Sequence, residues 1–467
     1  MTPKLALALG LAACGSAGSP PASPSTRLDT TATGAWVDRE LARVPSAVIG
    51  LVDRNGLVWH RAVGARAGGA PPDRTTFYRI GSVTKLVTAT AVLQLRDAKK
   101  LALEDTVARW VPELPALGTT SPPVTIRHLV THTSGVPSIG DGSAPYWEQR
   151  APYRAAMLRA LAVPPAFAPG SRSEYSNAGF ALLGEIVARA SGEPYRAYVA
   201  RHVFAPLGMR DVAWERTAVP VERLAIGSVH GQSDPPHWQL GAFEAAGGLY
   251  ASLDAMVSFA RFSLGAHPDV LAAASVAEAQ REDALPGPHG VAWITGGEGP
   301  ERFAAHTGST LDYSASLVVL PEAGLAAIVL SAGSEAELVE CAAFALAKHA
   351  MTGAPLAPCQ QALDGARRAA AETALDRLLD VLASPSPEAI EATFEPGFLR
   401  EIPTTAIAGI VGQLRERVGR CTRYELVEAG GIGVRGVLHC ERAAVKFELA
   451  ATQTPPHRIA GIVFPDL

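Results

Sequence analysis

Ser82 and Lys85 stand three residues apart in the run Arg79-Ile80-Gly81-Ser82-Val83-Thr84-Lys85, at the head of the apolar, helix-patterned stretch Leu86 to Leu95. On a helix, positions i and i+3 share one face about one turn apart, so the lysine amine comes within reach of the serine hydroxyl. A serine with a base in reach is a nucleophile. The start of a helix also leaves unpaired N–H groups and a partial positive charge where an attacked carbonyl develops its oxyanion. One turn thus offers nucleophile, base and part of an oxyanion hole. The S-x-x-K pattern fixes only two positions and recurs by chance, so its company has to decide.

Four further features follow in order. The run Thr125-Ile126-Arg127-His128-Leu129-Val130-Thr131-His132-Thr133-Ser134-Gly135 carries His128 and His132 at the i, i+4 spacing of a helical zinc pair. A catalytic zinc helix wants a glutamate beside the first histidine. Leu129 stands there instead, and no third ligand is near in sequence, so no metal is expected. Next comes Tyr175-Ser176-Asn177, after Pro169-Gly170 and before the apolar stretch Ala178 to Ala190. A tyrosine near an ammonium group has a stabilised phenolate and can shuttle a proton, while Asn177 can hydrogen-bond a substrate amide. The run Ala246-Gly247-Gly248-Leu249-Tyr250 reads as a glycine turn with close backbone approach, which needs no catalytic role. Last is His306-Thr307-Gly308-Ser309, ahead of two strand-like runs, Ser314 to Leu320 and Leu325 to Ser331. An edge strand there offers the Ser309 N–H as a second oxyanion donor, and Gly308 lets a substrate approach closely. Singly, Tyr175 reads as a packing residue and His306 as a surface histidine; it is the ordered set that points to chemistry.

That set, Ser82-x-x-Lys85, Tyr175-x-Asn177 and His306-Thr307-Gly308, resembles the serine β-lactamase and penicillin-binding-protein-like hydrolases, in their class C, D-Ala-D-Ala carboxypeptidase and esterase-like branch. The stretch His128 to Gly135 and the turn Pro206-Leu207-Gly208-Met209 match that family too. The resemblance implies an α+β fold of the transpeptidase type, an antiparallel sheet flanked by helices plus a helical subdomain. It implies acyl transfer through an ester on Ser82, with Lys85 and Tyr175 moving protons. Asn177, His306, Thr307 and Gly308 then meet the substrate, the backbone N–H groups of Ser82 and Ser309 hold the oxyanion, and neither a cofactor nor a metal is called for.

Two departures matter. His306 replaces the lysine of the β-lactamases, so a charge meeting a substrate carboxylate is missing or pH-dependent. Leu311-Asp312-Tyr313 replaces a common Pro-Gly-Phe, and Asp312 near the site mouth would disfavour anionic substrates. The expectation is therefore an exported serine hydrolase acting on an ester or amide: a D-amino acid peptide, a cell-wall fragment or a small ester. A β-lactamase is one alternative. A sensor or binding protein that is acylated without turning over is another.

The remaining sequence bounds the setting. The chain has 467 residues and a formal net charge of −4, with no Lys/Arg cluster, which excludes a nucleic-acid partner. Residues 1–13 read as a signal peptide: Lys4 supplies a positive region and Leu5 to Leu11 an apolar one, too short for the roughly 20 residues that span a bilayer. Leu11-Ala12-Ala13-Cys14 resembles the lipobox of bacterial lipoproteins, which would lipidate Cys14 and anchor the protein to a membrane in the cell envelope or periplasm; a plain signal peptide is the alternative. Residues 14–27 are rich in Ser, Pro, Gly and Ala and suit a flexible tether.

Export implies an oxidising compartment, in which the other cysteines can pair. Two strand-like runs, Cys421 to Val427 and Val434 to Cys440, flank Gly430-Gly431, and a two-residue turn there sets Cys421 opposite Cys440. Cys341 and Cys359 either pair or remain buried thiols.

Strand-like segments lie at both ends of residues 28–352, including a hairpin around Asp53-Arg54-Asn55-Gly56, with helical patterns between. That order favours one sheet built from both ends of the segment, an α/β or α+β architecture. Pro- and Ala-rich sequence after Thr352 marks a boundary. Residues 353–467 then read as a smaller α+β accessory domain, with helical patterns over about Ala362 to Leu382, Pro387 to Phe394 and Thr404 to Val418 before four strand-like runs, an order that vaguely resembles the NTF2-like cone.

Overall fold

The computed structural model describes residues 28–138, 153–229, 232–233, 240–310, 312–333, 335–359, 365–429, 434–452 and 455–464. The expected signal peptide, Cys14 with its tether, and the Gly430-Gly431 turn lie outside them.

The central sheet joins the two ends of the first unit. Strands β1 (Ser46–Asp53) and β2 (Leu57–Gly64) form the early hairpin; β3 (Ile294–Gly296), β4 (Phe303–Thr310), β5 (Tyr313–Leu320) and β6 (Leu325–Ser331) come from the far end. All pairs are antiparallel, in the order β2-β1-β6-β5-β4-β3. Successive side chains of a strand point to opposite faces, and β1 shows the consequence. Val48 and Val52 enter one apolar core, while Ala47, Ile49 and Leu51 enter another. Helices α1 (Thr30–Glu40) and α4 (Ala336–Thr352) cover the second face with Trp36, Val37, Leu338, Val339 and Leu346. Helices α2 (Thr84–Asp97) and α3 (Asn177–Ser191) belong to the larger core on the first face. With both faces covered, β5 and β6 are buried at every residue, which is why they read as continuous apolar runs without alternation.

Helix α2 is buried on nearly all sides, from Thr84 through Leu93, as a helix at the centre of a large core must be. It starts earlier than its apolar run suggests, because a 3₁₀ turn, Gly81–Val83, leads directly into it. Helix α3 begins at a Ser176 cap, whose hydroxyl accepts from the Gly179 N–H at 3.0 Å, and stops at Gly192 with φ +79°.

Beyond Gly353 a third, separate core is built by α5 (Gly365–Ala383), α6 (Thr404–Val418) and an antiparallel meander, β7 (Cys421–Ala429), β8 (Val434–Cys440), β9 (Ala444–Ala451) and β10 (Ile459–Val463). Disulfides join Cys341 to Cys359 and Cys421 to Cys440. Cys421 and Cys440 are paired positions, but the connection differs from the expected tight turn. The last paired residues are Ala429 and Val434, and shifts at Cys421/Arg423 and Leu426/Glu428 bring the register back into line.

Candidate active site

Ser82 sits in the 3₁₀ turn and Lys85 at the second residue of α2, with its side chain fully buried. The i, i+3 spacing brings Lys85 Nζ to 3.0 Å from Ser82 Oγ. Two other acceptors hold the same amine: Asn177 Oδ1 at 2.8 Å and the Ala246 carbonyl at 2.7 Å. Burial disfavours the charged form and pushes the Lys85 pKa well below its usual value. A neutral amine has two N–H bonds and one lone pair. Donating the two to Asn177 and Ala246 turns the lone pair toward the Ser82 hydroxyl, where a base is needed.

Each of these positions has a local cause. Asn177 is the first residue of α3, and its own N–H donates to Ser138 Oγ at 3.1 Å. The Ala246 carbonyl is fixed because the neighbouring Ala245 carbonyl accepts from Thr88 Oγ1 at 2.6 Å, and because the Leu249 N–H donates to Thr84 Oγ1 at 3.2 Å. Thr84, Lys85 and Thr88 of α2 therefore grip the stretch 245–249 along one helix side. Tyr175 lies 41% exposed, with the Lys85 Nζ 4.7 Å from its ring centre.

Strand β4 packs directly against the 3₁₀ turn that carries Ser82. A Cβ on Gly308 would sit 2.0 Å from the Ile80 carbonyl oxygen and 2.8 Å from the Ser82 nitrogen. One on Gly81, whose φ is +51°, would sit 2.9 Å from the Ser309 nitrogen. Only glycine at both positions lets the strand and turn approach so closely. The backbone nitrogens of Ser82 and Ser309 thereby both border this close contact, an arrangement that could offer two donors to one oxyanion.

Beside Ser82 opens a small cavity, bounded by Ser82, Asn177, Ser309 and Thr310 on its polar side and by Leu240, Phe243 and Ala246 on its apolar side. Of the third motif, Ser309 lines it, whereas Thr307 and Gly308 do not. Among the described residues that line it, none carries a charge.

His306 departs from the sequence expectation. It is only 2% exposed, and its Nδ1–H donates to the Thr307 carbonyl at 2.6 Å. Burial above all lowers its pKa to about 3. The imidazole therefore stays neutral through the pH range in which an exposed histidine titrates, so it is no pH-dependent substitute for the lysine. Asp312 departs as well: it is 1% exposed and accepts from Thr310 Oγ1 at 3.0 Å, so its carboxylate is buried rather than open to an arriving substrate. The two histidines at zinc-helix spacing have separate employments. His128 closes a capping box, its Nδ1 accepting from the Thr125 N–H at 3.2 Å, and His132 Nδ1 accepts from the Ser176 N–H at 3.1 Å.

Nothing in the sequence marks the Ala246 carbonyl as a partner of Lys85 beyond the glycine run that starts there. Leu240 and Phe243 go unmarked altogether, since no period or motif singles out wall residues.

The Beta-lactamase family pattern matches residues 35–351. This chain belongs to that family. Esterase EstB of Burkholderia gladioli is 36% identical over 230 residues, 46% of this chain and 57% of that protein. The D-alanyl-D-alanine-carboxypeptidase/endopeptidase AmpH of Escherichia coli K12 is 32% identical over 215 residues, 43% of this chain and 53% of that protein. The chain thus spans rather more than half the length of these curated relatives. In three dimensions, the octameric penicillin-binding protein homologue from Pyrococcus abyssi shares the fold, with a TM-score of 0.60 and 21% identity over 91% of both chains.

Proposed function

We propose that this member of the beta-lactamase family is a serine hydrolase that transfers the acyl group of an ester or amide through an ester on Ser82. The observation that carries the proposal is the buried Lys85 amine, held by two acceptors with its third direction on Ser82 Oγ. Ser82 Oγ attacks the substrate carbonyl as its proton passes to Lys85. The oxyanion then rests on the N–H groups of Ser82 and Ser309. Collapse breaks the bond to the leaving group, which takes up a proton delivered from Lys85 by way of Tyr175. Water next attacks the acyl-enzyme, losing its proton to the same base, and the acid leaves with Ser82 restored.

The substrate class follows from the cavity wall. Leu240, Phe243 and Ala246 suit a short apolar acyl group, and the uncharged lining together with a neutral His306 favours neutral esters and amides over carboxylate-bearing substrates. The relatives named an esterase and a D-alanyl-D-alanine-carboxypeptidase/endopeptidase support ester or D-amino acid amide chemistry. A β-lactamase is less favoured, because no lysine charge stands in the third motif. We read the Leu11-Ala12-Ala13-Cys14 run and the two disulfides as support for an exported, lipid-anchored protein, and residues 353–467 as an accessory domain. Among the described residues no helix is long and apolar enough to cross a membrane.

Purified protein assayed against p-nitrophenyl acetate and butyrate, nitrocefin and a D-Ala-D-Ala peptide tests the proposal. Turnover of the esters ahead of nitrocefin is expected. Nitrocefin turning over faster than every ester would reverse the ranking, and a burst without steady-state turnover on all of them would point to the acylated sensor.

A further inference from the structure

His132 is bound to the catalytic tyrosine's surroundings from three sides. Its carbonyl accepts from the Glu174 N–H at 2.8 Å, and its Nδ1 accepts from the Ser176 N–H at 3.1 Å, so the residues just before and just after Tyr175 are both tied to it. Between those two bonds the imidazole lies against the Tyr175 ring, centroids 4.3 Å apart and planes 29° from parallel. The ring is 1% exposed and backed by Phe180 at 5.1 Å and His289 at 5.4 Å. The backbone of His132 is left-handed, with φ +59°, a conformation uncommon outside glycine and asparagine, and it persists where the surroundings enforce it.

We infer that His132 is the positioning residue for Tyr175, holding the tyrosine ring and its turn so that the phenol faces the Ser82–Lys85 pair. Packing alone does not account for a histidine here. A phenylalanine fills the same space but cannot accept the Ser176 N–H. Because Nδ1 is that acceptor, the ring must be the neutral tautomer with its proton on Nε2, an atom that is buried and makes no hydrogen bond among the described residues. A charged imidazole would turn a second N–H onto Ser176 and break the clamp. Burial holds the ring neutral. The clamp therefore stays in place at neutral pH without adding positive charge beside the base.

The inference rests on Tyr175 as a proton carrier in the proposed reaction, so the test separates the two. His132→Phe, which keeps a ring but no acceptor, and His132→Asn, which keeps an acceptor and suits the left-handed backbone, are each made in the wild type and in Tyr175→Phe. The steady-state kcat and KM for p-nitrophenyl butyrate are measured for all of them. His132→Phe is expected to lower kcat about 100-fold, the scale of a misplaced catalytic group, with KM within about threefold. His132→Asn is expected to recover about tenfold of that loss. In the Tyr175→Phe background the phenol is already gone, so either change is expected to cost under about threefold, which a merely structural role would not produce. Equal losses in both backgrounds overturn the inference, as does an undiminished kcat in His132→Phe. Should His132→Phe not fold, the comparison of His132→Asn across the two backgrounds decides in the same way. A Tyr175→Phe enzyme with undiminished kcat ends the proton-carrier reading itself; one that is slowed while the His132 losses stay additive ends only the positioning role.

Discussion

Lys85→Met keeps a side chain of similar length in the core but removes the one buried amine on which the proposed chemistry depends. An unfolded lysine holds its proton up to a pKa of about 10.4. The native amine, fully buried, releases it at a much lower pH because burial disfavours the charge. Between those two values the unfolded state binds one proton more than the native state, and stability rises with pH by about 1.4 kcal/mol per unit. The methionine variant lacks that contribution. Its absolute stability also shifts, because Asn177 Oδ1 and the Ala246 carbonyl lose a donor, at about 1–3 kcal/mol for each buried polar group left unpaired. That offset does not depend on pH, so the slope isolates the amine. Urea unfolding from pH 8 to 9.5 should show the wild type gaining about 2 kcal/mol on Lys85→Met. In the same wild-type protein, kcat/KM should rise with pH to a plateau reached well below the ordinary lysine value, as the base loses its proton. A stability gap constant across that interval would mean that Lys85 is charged in the native state, and the neutral-base mechanism would have to be abandoned.

Gly308→Ala puts a methyl group 2.0 Å from the Ile80 carbonyl oxygen and forces β4 away from the nucleophile turn; about 1–3 kcal/mol of stability and about 10²- to 10³-fold of kcat should be lost, and a fully active variant would contradict the two-donor oxyanion site. With His306 lowered to about 3, the ratio of kcat/KM for a carboxylate-bearing ester to that for a matched neutral ester should stay flat from about pH 5.5 to 8. A ratio that falls steadily over that range would show a titrating imidazole reading substrate charge. If Cys14 is lipidated, exported wild-type protein should partition into detergent and Cys14→Ser into water; wild type found wholly in the aqueous phase would remove the anchor.

The chemistry was more legible in the sequence than the surroundings that tune it. Ser82 and Lys85 were readable because a helical period alone sets their distance, and Asn177 because it opens a helix behind a capping serine. The paired strands around Asp53-Arg54-Asn55-Gly56 and Pro321-Glu322-Ala323-Gly324 were readable from turn chemistry. Burial of His306 and Asp312 was not. It is fixed by how β4 and β5 pack against segments far away in sequence, including the close approach of Gly227 to Asp312, and no local pattern records it. Backbone groups such as the Ala246 carbonyl escape sequence reading for a different reason, since every residue type carries one. The histidines at i, i+4 spacing show the converse. A strong local pattern was present, and the fold used His128 as a helix cap and His132 as a clamp on the Tyr175 turn.

The central claim is a covalent acyl group on Ser82. Brief incubation with a fluorophosphonate probe, followed by intact mass measurement and peptide mapping, tests it most directly. One added phosphonyl group on the peptide containing Ser82, absent from Ser82→Ala along with ester turnover, is the predicted result. Label on any other residue, or near-normal turnover by Ser82→Ala, would contradict it.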